Sequence, residues 1–235
     1  MPNCTAETMS FGRLGRCQIE ANFEGGALSS DGGLMLLRQA DRRIGLSKAV
    51  AAALHDPRKQ DMIAHEMRDL VAQRLYGLCC GYEDLNDHSA LRHDPLMQTA
   101  VGRDRALASA PTLSRLETSA TAEHAAALHA VLLDQFIASR VSSPGELILD
   151  VDATHIPLHG QQERAHFQAH YDNYCYLPLY VFCGQDMLAC VLRPSSKDPA
   201  GVVSALIKLL AARLRQAWPG VRLVVRADGG FCRPC

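Results

Sequence analysis

Apolar residues in the first 140 positions recur at intervals of three and four, the spacing of one helix face. The stretch "LMLLRQADRRIGL", directly after "SSDGG" at 29–33, predicts a short amphipathic helix. Residues 59–80 and 121–140 predict two longer helices, and Pro111 in "LASAPTLSRLE" suits the first turn of another. The apolar positions of the two longer stretches are Ile63, Met67, Leu70, Val71 and Leu75, and then Leu128, Val131, Leu132, Phe136 and Ile137.

The pattern changes after "SSPGE" at 142–146, where a Pro-Gly pair predicts a break. The stretches "ELILDVDA", "YCYLPLYVF" (174–182) and "DMLACVLR" (186–193) predict three strands, the last two joined as a hairpin. A helix that begins with Asp198 as cap and Pro199 as first residue follows. The stretch "VRLVVRADGGF" predicts a fourth strand.

The predicted order in the second region is thus β-β-β-α-β. We predict an α/β fold in which a mostly helical region, 1–143, precedes a sheet-bearing domain, 144–235. No apolar run reaches the roughly 18 residues that a membrane helix needs, and the N-terminus lacks the apolar core of a signal peptide. A cytoplasmic location is the expectation.

Charge and cysteine content change this picture little. The formal net charge is −1, and neither side of residue 145 is strongly basic, although a neutral total can hide a basic face. The nine cysteines are scattered, which favours reduced thiols in a chain without an export signal. The "CRPC" at 232–235 has the spacing of half a zinc site but no second pair.

Two acids on the first predicted strand require an explanation, because a carboxylate on an apolar strand is unfavourable unless its charge is compensated. Ile148, Asp150 and Asp152 share one face of that strand. Asp228 ends the fourth strand, which the preceding helix can bring back beside the first. Asp152 and Asp228 would then meet and could hold Mg²⁺. Each could equally be an ordinary turn or cap residue.

Several stretches together resemble the bacterial insertion-sequence transposases with a DDE catalytic domain. They are "LDVDATHIPLHGQQE", "YCYLPLYVF" and "RADGGF", with "SSDGGLMLLRQADRRIGL", "YEDLNDHSALRHDPLMQTAVG" and "LASAPTLSRLE" before them. The resemblance covers nearly the whole chain and implies an RNase H-like fold. It makes Asp152 the first catalytic aspartate and Asp228 the second, although Asp150 lies on the same face and could be confused with Asp152.

The resemblance also implies a reaction and its partners. Two Mg²⁺ (or Mn²⁺) ions held by the acids would support cleavage at the element's terminal inverted repeats and strand transfer into target DNA. The expected assembly is a homo-oligomer on DNA, and the expected location is the bacterial nucleoid when DNA is bound. Arg42, Arg43 and "TLSRLE" are candidate phosphate contacts, but solvated helix faces also look like this.

The family's third acid, a glutamate on a later helix, has no counterpart, since the chain stops seven residues after Asp228. Glu163 lies in the wrong part of the expected fold. The expectation is therefore the N-terminal half of a transposase, inactive by itself. The alternative is a truncated, non-catalytic protein that binds element ends or inhibits an intact transposase.

Histidines offer a rival explanation of the second region. His155 and His159 are four apart, as are His166 and His170, and Cys175 and Cys183 follow. Such pairs on a helix can share a zinc ion, but Pro157 argues against a helix across the first pair. Hydrogen-bonded or exposed histidines are the other interpretation, and the role of the segment "HGQQE" at 159–163 stays open.

Overall fold

A computed structural model describes residues 8–22, 31–196 and 199–231, in two compact units, Met1–Leu128 and His129–Cys235. The division falls inside the helix Ala122–Ala138, because Leu133 and Phe136 of that helix pack into the core of the second unit. The functional boundary at 143/144 stays a prediction. The predicted cap Asp198 and the "CRPC" motif lie outside the described residues.

The first unit combines one β-hairpin with helices. Its core contains the buried Leu34, Met35, Tyr76 and Met97, and Phe11 and Ile19 of the hairpin pack against it. The elements are β1 (Met9–Leu14), β2 (Cys17–Ala21), α1 (Leu34–Ile44), α2 (Leu46–Ala53), α3 (Met67–Cys79), α4 (His88–Leu91), α5 (Pro95–Val101), α6 (Ala110–Thr118) and the first residues of α7 (Ala122–Ala138), with single 3₁₀ turns at Gln60–Met62 and Leu85–Asp87.

Most of the predicted helices are confirmed, with two differences. Pro111 lies in the first turn of α6, and α1 and α7 fall where the apolar spacing placed them. The helix predicted over 59–80 begins only at Met67, because the preceding Glu66 is extended. The hairpin β1–β2 was not predicted, since its strands are short and mostly exposed and so lack a clear apolar alternation.

Two buried polar side chains hold α3 against the segments that follow it. The amide of Gln73 donates to the carbonyl oxygen of Ala108 and accepts from its N–H, both at 3.0 Å. The same amide nitrogen lies 3.2 Å from Nδ1 of His88, which is fully buried. Because an amide nitrogen can only donate, Nδ1 accepts and the neutral ring carries its hydrogen on Nε2. Burial lowers the pKa of His88.

We expect acid to destabilise the first unit partly through His88. Below about pH 6.5, the ordinary value, the unfolded chain binds a proton that the folded chain does not, so the free energy of unfolding falls as the pH falls. The free energy of unfolding, measured in urea, should fall less between pH 7.5 and pH 5.5 in His88→Gln than in the wild type. His93→Gln removes an exposed imidazole nearby and is the control. An equal loss in all three proteins would contradict this role.

The second unit is built on a mixed four-stranded sheet. The strands are β3 (Glu146–Ala153), β7 (Leu179–Cys183), β8 (Asp186–Val191) and β9 (Arg222–Ala227), in the spatial order β8-β7-β3-β9. The helix α8 (Pro199–Ala217) connects β8 to β9, and β3 and β9 are parallel. Leu210 and Leu214 of α8, with Phe136 of α7, pack in one core with this sheet. The α/β class predicted from the sequence is confirmed.

A small second sheet interrupts the predicted order of strands. Its strands are β4 (Ile156–Pro157), β5 (His166–Gln168) and β6 (Asn173–Tyr176), in the order β4-β6-β5. The single strand predicted over 174–182 is therefore wrong. It divides at Leu177-Pro178, because proline has no N–H to donate to a sheet ladder. In the large sheet the order β3, β7, β8, α8, β9 matches the prediction.

Among the described helices, none is long and apolar enough to cross a bilayer.

Candidate active site

The strand β3 alternates between a buried face and an open one. Leu147, Leu149 and Val151 are 6%, 0% and 4% exposed and belong to the core shared with α7 and α8. Asp150 is half-buried and Asp152 is exposed. The predicted division of this strand into two faces is therefore confirmed, and both acids lie on the face away from the core.

The parallel pairing of β3 with β9 brings the two predicted catalytic acids to one edge of the sheet. Asp150 is the Cα partner of Arg226, and Val151 is the partner of Ala227. The pairing ends there, and Asp152 and Asp228 are the next residues along the two chain segments, at the same edge of the sheet. Asp228 directly follows β9 and is exposed, and its carbonyl oxygen accepts from the N–H of Phe231 at 3.2 Å. The predicted adjacency of the first and last strands is confirmed.

Asp150 has a charged partner on the neighbouring strand. Nε and Nη2 of Arg226 donate to its two carboxylate oxygens at 2.6 and 2.8 Å, a two-pronged ion pair. The hydrogen bond from Arg226 lowers the pKa of Asp150. This pair explains how an acid is accommodated in the middle of an otherwise apolar strand, and it occupies both oxygens of Asp150.

Asp152 is in a different environment, one step further along the same face. Its Oδ1 accepts from the N–H of Ala153 at 2.8 Å, and no Lys or Arg in the described part of the chain forms an ion pair with it. Across the other neighbouring strand its Cα partner is Tyr180, whose ring stacks on Phe182 with centroids 6.1 Å apart. The carboxylate of Asp152 thus reaches solvent beside an aromatic pair.

The donor chemistry of this edge fits a hard divalent cation. Exposed carboxylate oxygens at the ends of adjacent parallel strands are the ligand type that Mg²⁺ takes in few-ligand sites, where water and phosphate complete its coordination. Asp152 and Asp228 would be the ligands. Within residues 8–22, 31–196 and 199–231, no three or more His, Cys, Asp or Glu side chains are grouped to hold a metal.

Comparison with known families decides the class of protein. The family model described as "Transposase DDE domain group 1" matches residues 11–235. This chain belongs to the DDE transposases. The match spans both units, so the family model includes the helical first unit as well as the sheet of the second unit. No curated protein and no solved structure matches the chain.

The four histidines of the rival hypothesis, His155, His159, His166 and His170, lie on and around the small sheet rather than on a helix. The His155 ring stacks on Tyr171 with centroids 4.1 Å apart, and its Nε2 lies 2.9 Å from Oδ1 of Asn173. His166 and His159 are exposed, and Cys175 is fully buried. These contacts support the interpretation of hydrogen-bonded or exposed histidines over a shared zinc ion.

Two residues of the transposase site were missed from the sequence. Arg226 lies two positions before Asp228, and alternate residues of a strand share one face. The sequence spacing could therefore have placed Arg226 on the same face as Asp228. Tyr180 could be placed opposite Asp152 only once the strand predicted over 174–182 was divided correctly, because the register of β7 begins after Pro178.

Proposed function

We propose that this transposase catalyses metal-dependent DNA strand cleavage and strand transfer at the ends of an insertion sequence, with Asp152 and Asp228 as metal ligands. The observation that carries the proposal is the pairing of β3 with β9. It brings two exposed carboxylates to the ends of neighbouring parallel strands. Asp150, the other acid on the same face of β3 as Asp152, is already bound by Arg226.

DDE transposase domains generally use divalent metals. Two Mg²⁺ or Mn²⁺ ions would supply electrostatic stabilisation of the charge that develops on the phosphate oxygens. The carboxylates of Asp152 and Asp228 would hold the cations and would not act as general bases. Arg226 would keep Asp150 from competing as a metal ligand. The carboxylate of Asp150 in turn neutralises the positive charge of Arg226 beside the site.

The reaction has two parts. Water attacks a phosphodiester at the element end, the P–O bond to the 3′ oxygen breaks, and a 3′-hydroxyl is released. That hydroxyl then attacks a phosphodiester of target DNA and displaces a target 3′ oxygen. The family implies DNA as the partner. The terminal inverted repeats, the target duplex and a homo-oligomeric assembly on DNA are the specific partners that we propose.

A cleavage assay on element-end DNA tests this function. We expect nicks at the element boundary in Mg²⁺ or Mn²⁺ and none in EDTA, because the carboxylates need a cation to neutralise them beside a phosphate. Labelled duplexes that carry the terminal repeat, with a scrambled repeat as control, would be resolved on denaturing gels. Cleavage that persists in EDTA would contradict the metal-dependent mechanism.

A second candidate is a DNA-binding protein that does not cut. It is favoured by one finding: among the described residues, no three or more His, Cys, Asp or Glu side chains are grouped to hold a metal. Such a protein would bind element ends or join an intact transposase and inhibit it. Salt-sensitive binding of terminal repeats without nicking in either cation would support this candidate over the enzyme.

A further inference from the structure

A buried arginine in the first unit has two side-chain nitrogens without a hydrogen-bond partner among the described residues. Arg38, in the middle of α1, is 3% exposed. In the described part of the chain, its Nη1 and Nη2 make no hydrogen bond, and neither is exposed to solvent. Burial lowers the pKa of Arg38, and the nearby Arg42 lowers it further. A guanidinium removed from water without an anion is unfavourable, so this position is suited to an anion supplied from outside.

A cavity of about 170 Å³ adjoins this arginine. Its volume is several times the roughly 30 Å³ that one water molecule occupies in the liquid. Arg38 and Met35 form its buried wall. Because Nη1 and Nη2 of Arg38 are not exposed, the exposed side chains at the rim must move before a ligand reaches the guanidinium. The lining residues are Ser10, Phe11, Met35, Arg38, Gln39 and Arg42.

The polar groups of the cavity favour an anion with several acceptor oxygens. Arg38 and Arg42 carry positive charge, and Gln39 offers amide donors. The hydroxyl oxygen of Ser10 accepts from Nε2 of Gln18 at 2.8 Å, which leaves the hydroxyl hydrogen to donate to a ligand. Among the residues that the structure describes, no acidic side chain lines the cavity. Guanidinium groups match phosphate geometry with two parallel hydrogen bonds.

We propose that this cavity, lined by Arg38 and Arg42, binds one phosphate group of the DNA backbone. The choice of DNA as the source of the phosphate rests on the proposed function, since a transposase must hold DNA. A single phosphate contact at a fixed place in α1 would position the first unit on the duplex without reading its sequence. Free phosphate shares this chemistry and is the other source that the experiment distinguishes.

The first measurement is DNA binding by the full chain in EDTA, where no cleavage occurs. Fluorescence anisotropy with a labelled duplex, over a series of KCl concentrations, gives the affinity and its salt dependence. In Arg38→Met and in Arg42→Gln we expect the affinity to fall about tenfold and the slope of log K against log salt to decrease by about 0.9, the loss of one phosphate contact. Arg43→Gln is the matched control, because Arg43 is the exposed neighbour that does not line the cavity.

The second measurement is thermal unfolding with inorganic phosphate, at ionic strength matched with chloride. The wild type and Arg43→Gln should gain melting temperature as phosphate is added, and Arg38→Met should not. Without phosphate, Arg38→Met should unfold at or above the wild-type temperature, since it removes an uncompensated buried charge. If that variant does not fold, Arg38 has a structural role that overturns the proposal. Arg42→Gln, at the exposed rim, gives an independent result.

The outcomes separate the two sources of phosphate. Loss of both DNA affinity and phosphate stabilisation in the cavity variants supports the site as proposed. Phosphate stabilisation that depends on Arg38, with unchanged DNA affinity, overturns the DNA assignment in favour of a free anion. Equal losses in Arg43→Gln and Arg38→Met overturn the site altogether. Binding is measured in EDTA and does not depend on cleavage, so failure of the catalytic proposal can be distinguished from failure of this one.

Discussion

Replacement of Asp152 or Asp228 by asparagine should reduce DNA cleavage more than about 100-fold while DNA binding is retained. Loss of a residue that only supports a metal ligand costs 10–100-fold, and each of these substitutions would remove a ligand itself. Asparagine keeps the size of the side chain but removes the charge that holds a cation. Both positions are exposed, so the fold should tolerate the change. The measurement is the nicking rate on element-end DNA in Mg²⁺, with anisotropy in EDTA as the binding control.

Asp150→Asn is the informative control for this prediction. Asp150 is on the same strand and face as Asp152, but its oxygens are bound by Arg226. We therefore expect its loss to reduce cleavage much less than the loss of Asp152. The circular dichroism spectra of all three variants should match that of the wild type. If Asp150→Asn abolished cleavage and Asp152→Asn did not, Asp150 would be the ligand and the assignment from the family motif would be wrong.

The contrast between these two acids shows how far the sequence can be interpreted. The alternation in "ELILDVDA" predicted the strand at the observed bounds and the face that carries Asp150 and Asp152. A period of two cannot distinguish residues two apart, because both point the same way. What distinguishes them is the register of β3 against β9, which sets Arg226 opposite Asp150 and leaves Asp152 at the edge.

The elements that could not be predicted share a physical cause. The strands β4, β5 and β6 are two to four residues long, too short for a pattern of alternation to be recognised. Both faces of the hairpin β1–β2 are mostly exposed, so its sequence lacks a clear alternation of apolar and polar residues. The cavity beside Arg38 depends on this hairpin, since Ser10 and Phe11 form part of its lining, and so it too was visible only in the structure.

Gly77→Ala should destabilise the first unit, although alanine favours a helix. Gly77 is buried in α3, and a Cβ there would lie 2.8 Å from Cε1 and 2.9 Å from Nε2 of His88. The His88 ring is fully buried and hydrogen-bonded to Gln73, so it cannot move away easily. Overpacking costs about 1–3 kcal/mol, against a gain of about 1 kcal/mol in helix propensity. We expect a net loss of up to about 2 kcal/mol of unfolding free energy.

Urea unfolding followed by far-ultraviolet circular dichroism would measure this loss, since Trp218, the single tryptophan of the chain, belongs to the other unit. Gly201→Ala is the matched control. It is also a helical glycine, in the second unit, but no atom of the described residues lies within 4 Å of its added Cβ, so the substitution should be neutral or stabilise by up to about 1 kcal/mol. In a His88→Ala background the steric conflict is absent, and Gly77→Ala should then cease to destabilise. A loss of the same size in both backgrounds would show that backbone conformation, rather than contact with His88, requires glycine at this position.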